Sequence, residues 1–160
     1  MVLGLGLSLA PIGAYLTVTG EFAKLPVFFS LAVLCWVSGF DIIYALQDED
    51  FDRAEKLHSI PSYLGKVNAL RLSTFLHVLS ALFIMLPVFF TEVGVLYYVG
   101  IVFFCSMLVY QHLLVKPNDL SRVNFAFMTT NGIASVVFAS LFLLDRVFVI
   151  HLWEHLWSGL

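Results

Sequence analysis

Charge is what this sequence has least of. Asp, Glu, Lys and Arg make up 12% of its 160 residues, about half the share of an ordinary soluble domain, while 61% are hydrophobic. So few polar side chains cannot cover a water-exposed surface, which excludes the soluble globular class. Basic residues number eight against eleven acidic, and they form no stripe, so no nucleic-acid partner is expected. There are two cysteines, Cys35 and Cys105, each inside an apolar run. They have neither metal-ligand spacing nor a disulfide framework, and read as small hydrophobes between helices. The first twenty residues hold no charge, which leaves no positive leader region of the signal-peptide kind; the first charge is Glu21. A chain apolar from its second residue reads as the continuation of something longer.

What is present is hydrocarbon, with a mean hydropathy of +0.96 and sixteen Phe. A spanning helix needs about 20 predominantly apolar residues. Five stretches qualify: Val2–Thr19, Leu25–Leu46, Leu72–Phe90, Val93–Val115 and Val123–Leu144. Their runs are continuous rather than alternating with period two, which points to helices and away from a barrel. The expectation is one transmembrane domain over residues 1–160, all-α, with about five spans. Pro11 predicts a kink in the first span, and Pro87 lies near the end of the third. The tail beyond, with Trp153 and Trp157, reads as an interfacial segment.

Lys and Arg orient the bundle. Arg53, Lys56, Lys66, Arg71, Lys116 and Arg122 fall on one side, Lys24 and Arg146 on the other. By the positive-inside rule the side with six is cytoplasmic. That side also carries the long polar connection, "QDEDFDRAEKLHSIPSYLGKVNALR".

The negative charge is concentrated there. Asp41, Asp48, Glu49, Asp50, Asp52 and Glu55 are six of the eleven acidic residues. On a continuous helix, at about 100° per residue, Asp48 falls about 20° to one side of Asp41 and Asp52 about 20° to the other. Asp50 points the opposite way. Like charges one turn apart are destabilising, and a carboxylate in the hydrocarbon zone costs kilocalories, so Asp41 marks a functional-site hypothesis. Oxygen-only ligands favour a hard cation; Mg²⁺ typically takes one or two carboxylates plus substrate phosphates. The plainer reading is an acidic loop facing water. A calcium loop fails, because Arg53 stands where its Gly belongs and Ser59 where its Glu belongs.

"FDIIYALQDEDFD", with its D-x-x-Y-A-x-x-D-x-x-x-D spacing followed by "SIPSYLG", resembles the second aspartate-rich motif of the UbiA-type aromatic prenyltransferases, with the closest likeness to 4-hydroxybenzoate polyprenyltransferases. "SRVNFAFMTTNG" is similar to the stretch that opens the last helix of that family. The resemblance covers the C-terminal half of the pattern, five helices of nine; no Asp precedes Asp41 to match the family's first motif. It implies Mg²⁺ held by Asp41, Asp48 and Asp52, a prenyl diphosphate and an aromatic acid as substrates, and a bilayer as surroundings, the bacterial inner membrane. It also implies a separate N-terminal half, without which this piece is inactive, and a place in quinone biosynthesis, ubiquinone or menaquinone. Tyr44, Arg53, Lys56, Lys66 and Asn124 are the candidate substrate contacts. His77, Gln111, His112 and Asn131 read as interhelical hydrogen-bond partners. The rival class is a small transporter or assembly subunit using the acidic cluster for cation or proton binding. Such a path would place further ionisable groups at depth, and His77 is the main candidate for one.

Overall fold

In hydrocarbon every backbone N–H and C=O must be satisfied within its own segment, and the helix does this. The computed structural model describes the backbone of residues 2–157 and the side chains of residues 3–149. Its helices are α1 (Val2–Thr19), α2 (Lys24–Ala45), α3 (Glu49–Ala54), α4 (Ile60–Met85), α5 (Val95–Leu114) and α6 (Asn131–Trp157). Short 3₁₀ turns cover Leu46–Asp48 and Leu86–Phe89, and a π-helical stretch, Phe125–Thr130, leads into α6. Four helical runs are long and apolar enough to cross a membrane: Lys24–Ala54, Ile60–Phe89, Val95–Leu114 and Phe125–Val149. The first expected span is a shorter apolar helix over its described part, Leu3–Thr19, with Pro11 inside it.

Three boundaries differ from expectation. The third span begins at Ile60 instead of Leu72, so most of the polar connection is helical. Its start is local chemistry. Ser59 Oγ accepts from the Ser62 N–H at 3.2 Å, Ser62 Oγ accepts from the Ser59 N–H at 2.9 Å, and Pro61 fills the first turn. Gly65, at φ +76°, then breaks the first turn from the rest of α4, a backbone that glycine adopts without strain. Second, residues 41–55 are not one helix. The 3₁₀ turn at Leu46–Asp48 overwinds the chain by roughly 60° relative to an α-helix, so Asp41 and Asp52 are no longer on one narrow stripe. Third, α6 runs through the tail to Trp157; the side chains of Trp153 and Trp157 lie outside the described residues.

The packing of α2 on α4 rests on small polar side chains. Ser73, His77 and Ser80 form one stripe of α4, at i, i+4 and i+7. Ser73 Oγ donates to the Gly39 carbonyl at 2.8 Å and Ser80 Oγ to the Ala32 carbonyl at 2.9 Å. The His77 ring meets the Trp36 carbonyl through Nε2 at 3.3 Å. The ladder brings the two backbones close. A Cβ added to Gly39 would strike the His77 ring, so glycine is required there by space. Interhelical bonds of this kind contribute about 0.6 kcal/mol each in a bilayer.

Two apolar clusters flank this polar layer. Ile42, Ile43, Leu46, Leu70, Val115 and Val123 fill the end nearest the acidic motif. Tyr97, Ile101, Phe104, Leu108, Ile84 and Ala134 fill the other. Phe104, Phe138 and Phe142 join Trp36 and Phe29 as edge-to-face or tilted neighbours, so part of the Phe content is interior packing. At the far end, Asp145 of α6 is 1% exposed and caps a helix it does not belong to. Its Oδ2 accepts from the Gly94 N–H at 2.8 Å and its Oδ1 from the Tyr97 N–H at 3.1 Å, at the start of α5.

Candidate functional site

The acidic motif is divided by the turn at residues 46–48 into two groups with different surroundings. Glu49 is 4% exposed and turns toward α4. Arg53 Nη2 donates to its Oε1 at 2.7 Å, and Lys66 Nζ lies 3.7 Å from its Oε2 and 3.4 Å from Asp50 Oδ2. Two of the cations expected to meet substrate are thus already held by carboxylates. Lys56 is exposed at the end of α3, at φ +56°.

Asp48 and Asp52 form the other group. Asp48 ends the 3₁₀ turn and Asp52 follows it one turn later on α3. Asp48 is exposed and Asp52 half-buried, and among the described residues neither forms an ion pair or a side-chain hydrogen bond. Asp41 is half-buried, about two turns back on α2. Among the described residues no three His, Cys, Asp or Glu side chains come together as a metal site. Asp48 and Asp52 therefore supply a partial oxygen donor set, which fits an ion completing its shell with phosphate and water.

Tyr44 and Asn124 are brought to one side by the start of the last span. Phe127 of the π-helical stretch lies tilted against Tyr44 with centroids 4.3 Å apart and meets Phe40 edge to face at 5.3 Å. One turn onward, Gln47 Nε2 donates to Asn124 Oδ1 at 3.4 Å. Deeper, Trp36 Nε1 donates to Asn131 Oδ1 at 3.2 Å. The two asparagines, seven residues apart, both turn to α2. Together these pairs make a face of Trp36, Phe40, Tyr44 and Gln47 against Asn124, Phe127 and Asn131. Below it, a cavity of about 490 Å³ opens between α1, α2 and α6, with Leu7, Pro11, Trp36, Phe40 and Asn131 among its walls. None of the three aspartates lines it, so the polar chamber expected before them is not built by this cavity.

Gln47, Trp36 and Phe127 were not among the residues the sequence picked out. Gln47 stands one residue before Asp48, which is a usable signal. Trp36 and Phe127 look like any other aromatic in an apolar run. In the loop before the last span, Asp119 Oδ1 accepts from the Ser121 hydroxyl at 2.6 Å and from its N–H at 3.1 Å. The Ser121 hydroxyl bond, more than any other influence, holds the Asp119 carboxyl below the usual range.

The described residues form an all-helical bundle with four helical runs long and apolar enough to cross a membrane. The chain belongs to the UbiA prenyltransferase family, whose pattern matches residues 1–144. It is similar to a 4-hydroxybenzoate octaprenyltransferase of Francisella tularensis, 24% identical over 138 residues, covering 86% of this chain and 48% of the relative. The 4-hydroxybenzoate octaprenyltransferase of Aeromonas hydrophila is 27% identical over 139 residues, covering 87% and 48%. The apo structure of a UbiA homologue from Aeropyrum pernix K1 superposes with a TM-score of 0.75 at 27% identity, over 90% of this chain and 54% of that one. The chain spans about half the length of the relatives it matches.

Proposed function

We propose that this chain is one half of an intramembrane active site that transfers a polyprenyl group from a prenyl diphosphate to an aromatic acid of the 4-hydroxybenzoate kind, in quinone biosynthesis. The observation that carries this reading is the placement of Asp48 and Asp52, one helical turn apart and without a cation partner among the described residues, in a family of prenyltransferases. Asp48 and Asp52, with Asp41 deeper on α2, would hold Mg²⁺. Held there, it would supply Lewis-acid stabilisation of the diphosphate leaving group.

The chain's own residues do the rest. Tyr44, Phe40 and Phe127 present ring faces to an allylic cation. The apolar walls around Trp36 keep water from quenching it. Gln47 and Asn124 offer amide groups to a polar ring substituent. Arg53 and Lys66 reach a phosphate by exchanging it for Glu49 and Asp50. The second wall belongs to the half of the family pattern outside these 160 residues, and the acidic motif faces the cytoplasm. The test is Asp48→Ala and Asp52→Ala in a complete enzyme containing this half. Each abolishes Mg²⁺-dependent transfer to 4-hydroxybenzoate while the protein still inserts. Full activity in both variants removes the metal assignment.

A further inference from the structure

The short helix that carries Asp52 is held to the bundle by charge. Of the six residues of α3 only Glu49 is buried. The one large apolar side chain of α3, Phe51, is 63% exposed, and Leu57 just beyond it is 52% exposed. No apolar face therefore docks this helix. It is entered through the 3₁₀ turn at Leu46–Asp48 and left through Lys56 at φ +56°, so neither neighbouring helix continues it as one rod. Its far end closes with the Glu55 N–H on the Phe51 carbonyl at 2.9 Å and the Leu57 N–H on the Asp52 carbonyl at 2.7 Å. A helix this short is marginal by itself and takes its stability from what it packs on.

Glu49 supplies the attachment. Its Oε1 accepts from Arg53 Nη2 at 2.7 Å, within α3. Its Oε2 is buried without a hydrogen bond among the described residues, and Lys66 Nζ of α4 lies 3.7 Å from it. A carboxylate withdrawn from water is strongly disfavoured unless a cation stays beside it, so Glu49 keeps its place only where Lys66 meets it. Lys66 is the first residue past the break at Gly65, and Asp50 Oδ2 holds the same ammonium from the solvent side at 3.4 Å. At about 100° per residue, Asp48 lies about 100° and Asp52 about 60° to the same side of Glu49. A rotation of α3 that swings Glu49 off α4 turns both aspartates with it.

Taking Asp48 and Asp52 as the metal-holding pair, we infer that Glu49 is their positioning residue. By holding Lys66 it fixes how α3 is turned on α4, and with that where the two carboxylates stand. Glu49 itself faces away from the ion. The clasp is closed before diphosphate arrives.

The test uses the full chain in lipid nanodiscs, without diphosphate. Amide exchange at Glu55 and Leu57 reports the docking of α3, and Mn²⁺ titration followed by electron paramagnetic resonance reports the aspartate pair. Glu49→Gln speeds exchange at both amides about tenfold, the loss of one contact to a charged group. It also weakens Mn²⁺ binding about tenfold, as removing the outer support of a metal site does. Lys66→Met has both effects. Its sign separates positioning from charge, because deleting a cation acts through Coulomb attraction alone to tighten Mn²⁺. Glu49→Leu combined with Lys66→Leu replaces the ion pair by an apolar one, and slow exchange and Mn²⁺ affinity return. Unaltered exchange in Glu49→Gln overturns the inference, and so does tighter Mn²⁺ binding in Lys66→Met. Mn²⁺ bound at full strength by both Asp48→Ala and Asp52→Ala removes the metal reading itself, with exchange in Glu49→Gln still faster.

Discussion

Asp145 closes the start of α5 from another helix, and replacing it tests whether this buried carboxylate holds the α5–α6 pair. Its two oxygens serve different donors: Oδ2 takes the Gly94 N–H and Oδ1 the Tyr97 N–H. Asp145→Ala leaves both N–H groups without a partner in a site where the replaced side chain was 1% exposed. A hydrogen bond to a charged group is worth about 1.5 kcal/mol at the low end, so the pair amounts to about 3 kcal/mol. Arg146 offsets none of this. It loses its 2.8 Å contact with Asp145 and keeps the Glu92 carbonyl at 2.6 Å. At about 2–4 °C per kcal/mol for a chain of this size, Tm falls by about 6–12 °C. Asp145→Asn retains one oxygen and loses about half as much. Thermal unfolding followed by circular dichroism in detergent measures the fall, and amide exchange at Gly94 and Tyr97 localises it. A change under about 2 °C in Asp145→Ala, with exchange at both amides unaltered, refutes the cap.

Gly39→Ala drives a methyl group into the His77 ring and costs about 1–3 kcal/mol as overpacking, read by the same melting experiment. Pairing it with His77→Ala recovers most of that loss if the clash is the cause. In the loop before the last span, NMR titration finds the Asp119 carboxyl protonating below the ordinary carboxylate range, and Ser121→Ala moves it back up. Because this pKa is lowered on folding, the contribution it makes is present at neutral pH. It disappears as the pH falls through the folded-state pKa.

Hydropathy alone determined that the chain is a helical membrane protein, because no other backbone form satisfies itself over runs of this length in lipid. The spacing of Asp41, Asp48 and Asp52 also marked a candidate site. It did so by counting along a perfect helix, and the chain departs from one at Leu46–Asp48. A 3₁₀ turn among helix-forming residues has no composition to announce it. The start at Ser59–Ser62 was readable in principle, since "SIPS" spells a reciprocal cap with proline in the first turn. The polar residues after it read as a loop, which masks the cap.

Tertiary structure decided the rest. Lys66 is a cation in any sequence, and only the return of α4 beside α3 assigns it to Glu49 and Asp50, whereas Arg53 meets Glu49 one turn away on α3 itself. Asn124 gains its meaning from Gln47, 77 residues away, and His77 from His112, 35 residues away. Such pairings depend on which helices lie side by side and at what depth. Hydrophobic runs carry no such instruction, since lipid and a neighbouring helix are equally apolar to the residue that faces them.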